Sequence, residues 1–320
     1  MKTDWNRRFL SLPPVVLVLK LSQKLVIPGF DGLSIYEVAA FFLRGIRKVS
    51  VTSRASSIAF NFFLATFPAI LFFFTIIPYV PVSDSYARVM ELLGELIPQH
   101  AFITIESTIT DILTRPRKGL LSIGFLMALY FSTNGINSII DAFNMTIHVK
   151  ESRTVFRQRL ISVFLVILLA FLTILAVSLI TTGTWVLNFL SDNIHLIGKS
   201  YLFLLQTGKW LVIIALLFFT FSFLYYFGPV KKSRYRFFSA GSTLATLLTL
   251  ATSLGFDFYI SNFSSYNALY GSIGTLIILL LWMYFNSIIL LLGFELNASI
   301  LSASEQKNLS FNRDQHPSEP

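Results

Sequence analysis

The chain has no cysteine among its 320 residues. That excludes disulfides, thiolate metal sites and a cysteine nucleophile. Charge is also scarce. Asp, Glu, Lys and Arg make up 13% of the residues, about half of what a soluble domain carries (~25%). Four histidines, His100, His148, His195 and His316, are scattered with no two at metal-ligand spacing. The chain contains neither a Walker A loop nor a nucleophile elbow. Metal-dependent and nucleophilic catalysis are therefore poorly provided for, and no cofactor is called for.

What is present is apolar. Hydrophobic residues are 54% of the chain, with 33 Phe. Residues 258–294 contain no charge, and Glu295 follows at once. About 20 apolar residues cross the ~30 Å hydrocarbon core. Six charge-poor runs reach that length, at about 55–79, 119–143, 160–190, 210–228, 237–260 and 270–300. Backbone groups cannot be left unpaired in lipid, and these runs are too long for barrel strands. The sequence predicts an all-α integral membrane protein, a six-helix bundle over residues 35–302. A cytoplasmic arm at 1–34 precedes it and a disordered tail at 303–320 follows. The arm has a basic, apolar start, but Pro13, Pro14 and Lys20 interrupt it and no A-x-A site follows, so it does not read as a cleaved signal.

Lys and Arg are distributed unevenly. Residues before the first run hold Lys2, Arg7, Arg8, Lys20, Lys24, Arg44, Arg47, Lys48 and Arg54. The second-to-third connection holds Lys150, Arg153, Arg157 and Arg159, and the fourth-to-fifth holds Lys231, Lys232, Arg234 and Arg236. The alternate connections are poorer in basic residues or offset them with acids. Positive-inside bias then puts both termini in the cytoplasm. The net charge of +9 meets anionic headgroups, so membrane lipids, and not nucleic acid, are the expected partners. Membrane or envelope proteins are further possible partners. Two segments fall outside the spans. Residues 35–50 place Val38, Phe41, Phe42 and Ile46 on one side and basic residues on the other, an interfacial amphipathic helix. Residues 83–114 carry two apolar stripes separated by Pro98, a helical pair over the outer face.

Ionisable and amide groups within spans cost free energy and need a reason. Asn134, Asn137, Asp141 and Asn144 are spaced 3-4-3, on one helix face. By topology Asp141 and Asn144 end the second run at the same level as Glu295 and Asn297 of the sixth. Asn61 and Arg54 of the first run lie nearby. One polar cluster at the inner leaflet is expected, a substrate, ion or proton site or else a structural ion pair. Asn286 lies mid-span and needs an interhelical partner or a wet cavity. Pro68 predicts a kink. Gly241, Ala245, Thr249 and Ser253 recur every four residues, a stripe for close helix packing. Tyr225 and Tyr226 before Gly228–Pro229 read as an interfacial aromatic anchor.

Four stretches together are more specific: RASSIAFNFFLATFP at 54–68, IPYVP at 77–81, YYFGP at 225–229 and YGSIGTLIILLLWMYFNSIILLLGFELNA at 270–298. They resemble the YihY/BrkB family of bacterial inner-membrane proteins over nearly the whole chain. The matching positions are Arg54, Ala55, Pro68, Pro229, Tyr270, Gly271, Trp282, Tyr284, Gly293, Glu295 and Asn297. The family pattern has Ala before the acid where this chain has Phe294. The resemblance implies association with virulence and transport of lipids or small amphiphiles, with a non-catalytic envelope scaffold as the alternative. The family's old ribonuclease label finds no support in these residues, because a nuclease needs clustered carboxylates or histidines for its metal.

Overall fold

The computed structural model describes residues 21–27, 29–48, 50–76, 79, 110, 118–147, 151–193, 199–230, 236–262 and 272–315. Seven helices carry the fold: α1 (Ile35–Lys48), α2 (Val51–Ile76), α3 (Lys118–Thr146), α4 (Val155–Asn193), α5 (Lys199–Phe227), α6 (Ala240–Asn262) and α7 (Ser272–Gln315). Among the described residues the only β feature is an isolated bridge between Val26 and Ser34. Residues 1–20, the outer excursion apart from Thr110, and Tyr270 and Gly271 lie outside the described residues.

Among the described residues, five helices are long and apolar enough to cross a membrane: Val51–Ile76, Lys118–Thr146, Val155–Gly183, Leu205–Phe227 and Leu276–Asn308. In α6 the apolar part is shorter, Ala240–Phe256. At 1.5 Å per residue it spans about 26 Å, slightly under a ~30 Å core. Phe237 and Phe238, expected in this helix, precede it. Ser239 caps its start, accepting from the Ser242 N–H at 3.2 Å.

The helices pack around α7, which touches α1, α2, α3 and α6. Helix α2 runs antiparallel along α3, so Phe72 meets Gly124 near one end and Phe62 meets Gly135 nearer the other. Ala55, Ile58, Ile140, Phe143, Tyr225, Leu291 and Phe294 form the buried core. Phe294, the departure from the family pattern, stacks on Phe143 with ring centroids 4.0 Å apart. Pro68 is buried within α2, which continues through it to Ile76.

Two segments differ from expectation. The tail predicted to be disordered is helical as far as Gln315. No Pro or Gly interrupts the chain from Phe294 to Gln315, and Ile300 and Ala303 bury their side chains against Leu33 and Val38. The second difference concerns α1. Its apolar stripe packs on α7 instead of facing outward. Lys307 Nζ donates to the Gly32 carbonyl at 3.3 Å, Val38 clusters with Ile300, and Gly45 reaches Glu295. Thirteen residues of one segment thus match twelve of the other in antiparallel register.

Helix α1 begins with a capping box. Ser34 N–H and hydroxyl donate to Glu37 Oε2 at 2.8 and 2.9 Å, and the Glu37 N–H donates back to Ser34 Oγ. The backbone N–H and hydroxyl of Ser34 hold the Glu37 carboxyl below its usual range. A depressed carboxylate stabilises the fold above its unfolded pKa, and that contribution is lost as pH falls through the folded value. Glu37→Gln should therefore flatten the acid limb of α1 protection, read by amide hydrogen exchange across 35–46. Ser34→Ala should cost about 1 kcal/mol of local stability.

Candidate functional site

Arg54 stands in the first turn of α2 and Glu295 in the middle of α7. Both side chains are 6% exposed, with Nη2 and Oε2 3.8 Å apart. Arg54 Nη1 donates to the Ala142 carbonyl at 2.9 Å and to the Thr146 hydroxyl, and Nε donates to the Ser50 carbonyl at 3.4 Å. The guanidinium therefore also ties down the last turn of α3, where a cation suits the helix dipole. From the other side α1 presents Gly45, whose missing Cβ leaves the room that Glu295 Oε1 occupies. Three helix ends close over one carboxylate.

Two residues further along α7, on the opposite face, Asn297 turns to α6. Its Oδ1 accepts from the Gly241 N–H at 2.8 Å and its Nδ2 donates to Ser239 Oγ at 2.9 Å. This side chain satisfies the start of α6 in a region that is 7% exposed. Gly293 and Gly241 cross beside it, with Ala245 against Gly293, as the small-residue stripe predicts. Tyr225 is no interfacial anchor. It is 1% exposed and donates to the Leu290 carbonyl at 2.8 Å.

Asn144 belongs to a third group. It donates to Glu151 Oε2 at 2.9 Å and accepts from the Val230 N–H at 3.2 Å. Arg153 grips Glu151 through Nε and Nη2, both at 2.7 Å, and donates to the Gly228 carbonyl at 3.0 Å. Burial pushes the Glu151 carboxyl up, but the Arg153 side chain, its N–H and the Asn144 amide outweigh this and hold it below its usual range. The Gly228–Pro229 turn of the YYFGP motif is thus fixed by its backbone, read by Asn144 and Arg153.

The remaining ladder residues face α4. Ser162 donates to Asn137 Oδ1, Gln158 Nε2 lies 3.5 Å from Asp141 Oδ1, and Arg159 Nη1 donates to Asn134 Oδ1 at 2.7 Å. Asp141 is exposed on the outside of the bundle. Together these residues form a polar seam between α3 and α4, within two helices of membrane-crossing length.

The single cluster expected from topology is therefore divided. Arg54 and Glu295 do meet. Asp141 and Asn144 do not join them, because the 3-4-3 face of α3 turns to α4 and the loop beyond it. Asn61 bonds across to Ser138 Oγ at 2.8 Å, on another face of α3. Asn286 needs no cavity, since its Nδ2 donates to the Trp282 carbonyl one turn back. Trp282 packs on Phe256 with centroids 4.9 Å apart, and Tyr284 is partly buried against the core. Sequence reasoning missed Gly45, Glu151, Arg153, Arg159 and Ser162. For Glu151 and Arg153 a signal existed, an acid and a base two apart at a helix-connecting turn. For Gly45 a glycine inside an amphipathic helix was the signal.

Among the described residues, cavities lie beside α6. One of about 40 Å³ lies beside Asn297, Ser239 and Arg236, where Arg236 pairs with Asp31 at 2.8 Å. Another of about 410 Å³ opens between α6 and α7, lined by Thr252, Gly255, Phe256, Tyr259, Leu281 and Phe285. Among the described residues no group of three or more His, Asp or Glu is placed to hold a metal.

Comparison with known proteins places the chain. Residues 42–316 match the family model described as Virulence factor BrkB. The chain belongs to the BrkB family. A Bacillus subtilis (strain 168) protein named ribonuclease-like protein YfkH is 35% identical over 248 residues, covering 77% of this chain and 88% of that one. A UPF0761 membrane protein of Alteromonas mediterranea is 24% identical over 273 residues, covering 85% and 90%. No solved structure matches. This BrkB-family chain is an all-α membrane protein, as its residues predicted.

Proposed function

We propose that the protein is a non-enzymatic, six-crossing protein of the bacterial inner membrane that moves a lipid or small anionic amphiphile between leaflets. Both termini then face the cytoplasm, α6 is the short crossing, and α1 with the end of α7 stands at the cytoplasmic side. The basic residues Arg54, Arg153, Arg157, Arg159 and Arg236 favour that orientation. The observation that carries the reading is the α3–α4 seam. Asp141 is exposed there and Asn134, Asn137 and Arg159 are half-buried, along two apolar spans where lipid would face them. Exposing polar groups to lipid is costly, and a headgroup travelling along the seam uses them.

The test is leaflet transfer of fluorescent phosphatidylglycerol in reconstituted vesicles. Wild-type protein should transfer the lipid faster than protein-free vesicles. Asn137→Leu with Ser162→Leu should slow transfer about tenfold while protein accumulates normally. Wild-type vesicles that transfer no faster than empty ones would sink the reading.

A second reading is a membrane scaffold for envelope assembly, bound to lipids and to membrane or envelope proteins. It is favoured by the closure of the Arg54–Glu295 pair and by the partners that each seam residue already has. The absence of cysteine makes the topology directly testable. Ser152→Cys would be the sole thiol, on an exposed residue. It should react with an impermeant maleimide in inverted vesicles and stay unlabelled in intact cells.

A further inference from the structure

Arg159 is the least expected member of the seam. Asp141 with Gln158, and Asn137 with Ser162, fall on one antiparallel register. On that register Arg159 starts level with Ile140. Its partner Asn134 is six residues further along α3, about 9 Å at 1.5 Å per residue. Lys and Arg near helix ends ordinarily snorkel outward to the interface, leaving only their stems on apolar surface. This one reaches the other way, toward the middle of α3. There Nη1 meets Asn134 Oδ1 at 2.7 Å, Nη2 lies 3.5 Å from the Tyr130 carbonyl, and the guanidinium stands 4.9 Å from the Tyr130 ring centroid.

The guanidinium has five N–H donors, and two acceptors face it. Among the described residues no carboxylate pairs with it. The Tyr130 side chain is 56% exposed, and Leu126 and Met127, one turn away on α3, are exposed with it. A cation is thus presented at the outer face of two membrane-length helices, with apolar surface around it and its charge unneutralised.

We propose that Arg159, with Asn134 and Tyr130, is a binding site for the phosphate of an anionic phospholipid, entered sideways from the bilayer. Planar bidentate recognition of phosphate suits arginine. Asn134 and the Tyr130 ring orient the guanidinium, and the exposed apolar side chains of α3 and α4 receive the acyl chains. The proposal rests on the amphiphile reading above and names its headgroup site.

The test is equilibrium binding of phosphatidylglycerol to the purified full chain in a neutral detergent, followed by native mass spectrometry, with phosphatidylcholine as comparator. Wild-type protein should retain phosphatidylglycerol preferentially. Arg159→Gln should lower its occupancy about tenfold, and Arg159→Lys should keep part of it. Asn134→Asp is near-isosteric and sets a carboxylate against the guanidinium, so it should weaken binding to a similar degree without removing the arginine. Millimolar inorganic phosphate should not displace the lipid. Phosphatidylglycerol binding that survives both Arg159→Gln and Asn134→Asp overturns the site. Displacement by inorganic phosphate as effective as by lipid overturns the lipid assignment. Binding by wild type without leaflet transfer supports the site and sinks the transport reading. Transfer that persists in Arg159→Gln sinks the site alone.

Discussion

Arg54→Met should destabilise the protein by about 3–5 kcal/mol, the cost of leaving one buried charge without its partner. Glu295 would stay enclosed by Gly45 and the end of α3, and the Ala142 carbonyl and Thr146 hydroxyl would lose their donor. The double variant Arg54→Met/Glu295→Leu should recover much of the loss, because apolar replacement of a whole buried pair is often neutral. Thermal unfolding in detergent, scored by the soluble monodisperse fraction, measures both. A single variant no worse than the double would show that the two charges are not coupled. Glu295→Gln separates structure from activity. Normal accumulation with lost function assigns the acid a working role, and failure to accumulate makes it structural.

Gly293→Ala should be comparably severe. A Cβ there would stand 2.7 Å from the Gly241 carbonyl and 2.9 Å from Ala245 Cβ, and would press on the Tyr225 hydroxyl. Backbone cannot step aside as a flexible side chain can. Overpacking costs about 1–3 kcal/mol, occasionally more, and here it also strains the hydrogen bond from Tyr225 to the Leu290 carbonyl. Gly255→Ala is the control, since a Cβ at Gly255 meets open space. Its midpoint should stay within the error of the wild type while that of Gly293→Ala falls. Equal midpoints for the two would refute the close crossing.

Much of this architecture was legible from hydropathy. Span lengths, the small-residue face of α6 and the meeting of Arg54 with Glu295 all follow from period and topology. Other features required tertiary knowledge. The 3-4-3 spacing identifies a face of α3 but not the helix it meets, and so Asp141 and Asn144 were assigned to Glu295 when α4 and the Glu151 turn receive them. The polar residues after Ser302 look solvated one by one, yet Ile300 and Ala303 anchor the helix that continues through them. An amphipathic stripe such as that of α1 fits a lipid surface and a neighbouring helix equally well. Side-chain direction was invisible too, so Arg159 counted only as one more basic residue of a connecting loop.

The length of α7 has a mechanical consequence. From its crossing with α6 at Gly293 to Gln315 the helix extends 22 residues, about 33 Å. A rigid arm of that length moves its tip by about 0.6 Å for each degree of tilt at the crossing. Helix α1 is strapped along the arm in matched register, so it is carried along, and Gly45 and Glu295 move together relative to Arg54 of α2. On the topology proposed above, a small rotation of α7 in the bilayer is thereby enlarged toward its far end, and a force applied to that end returns to the buried charge.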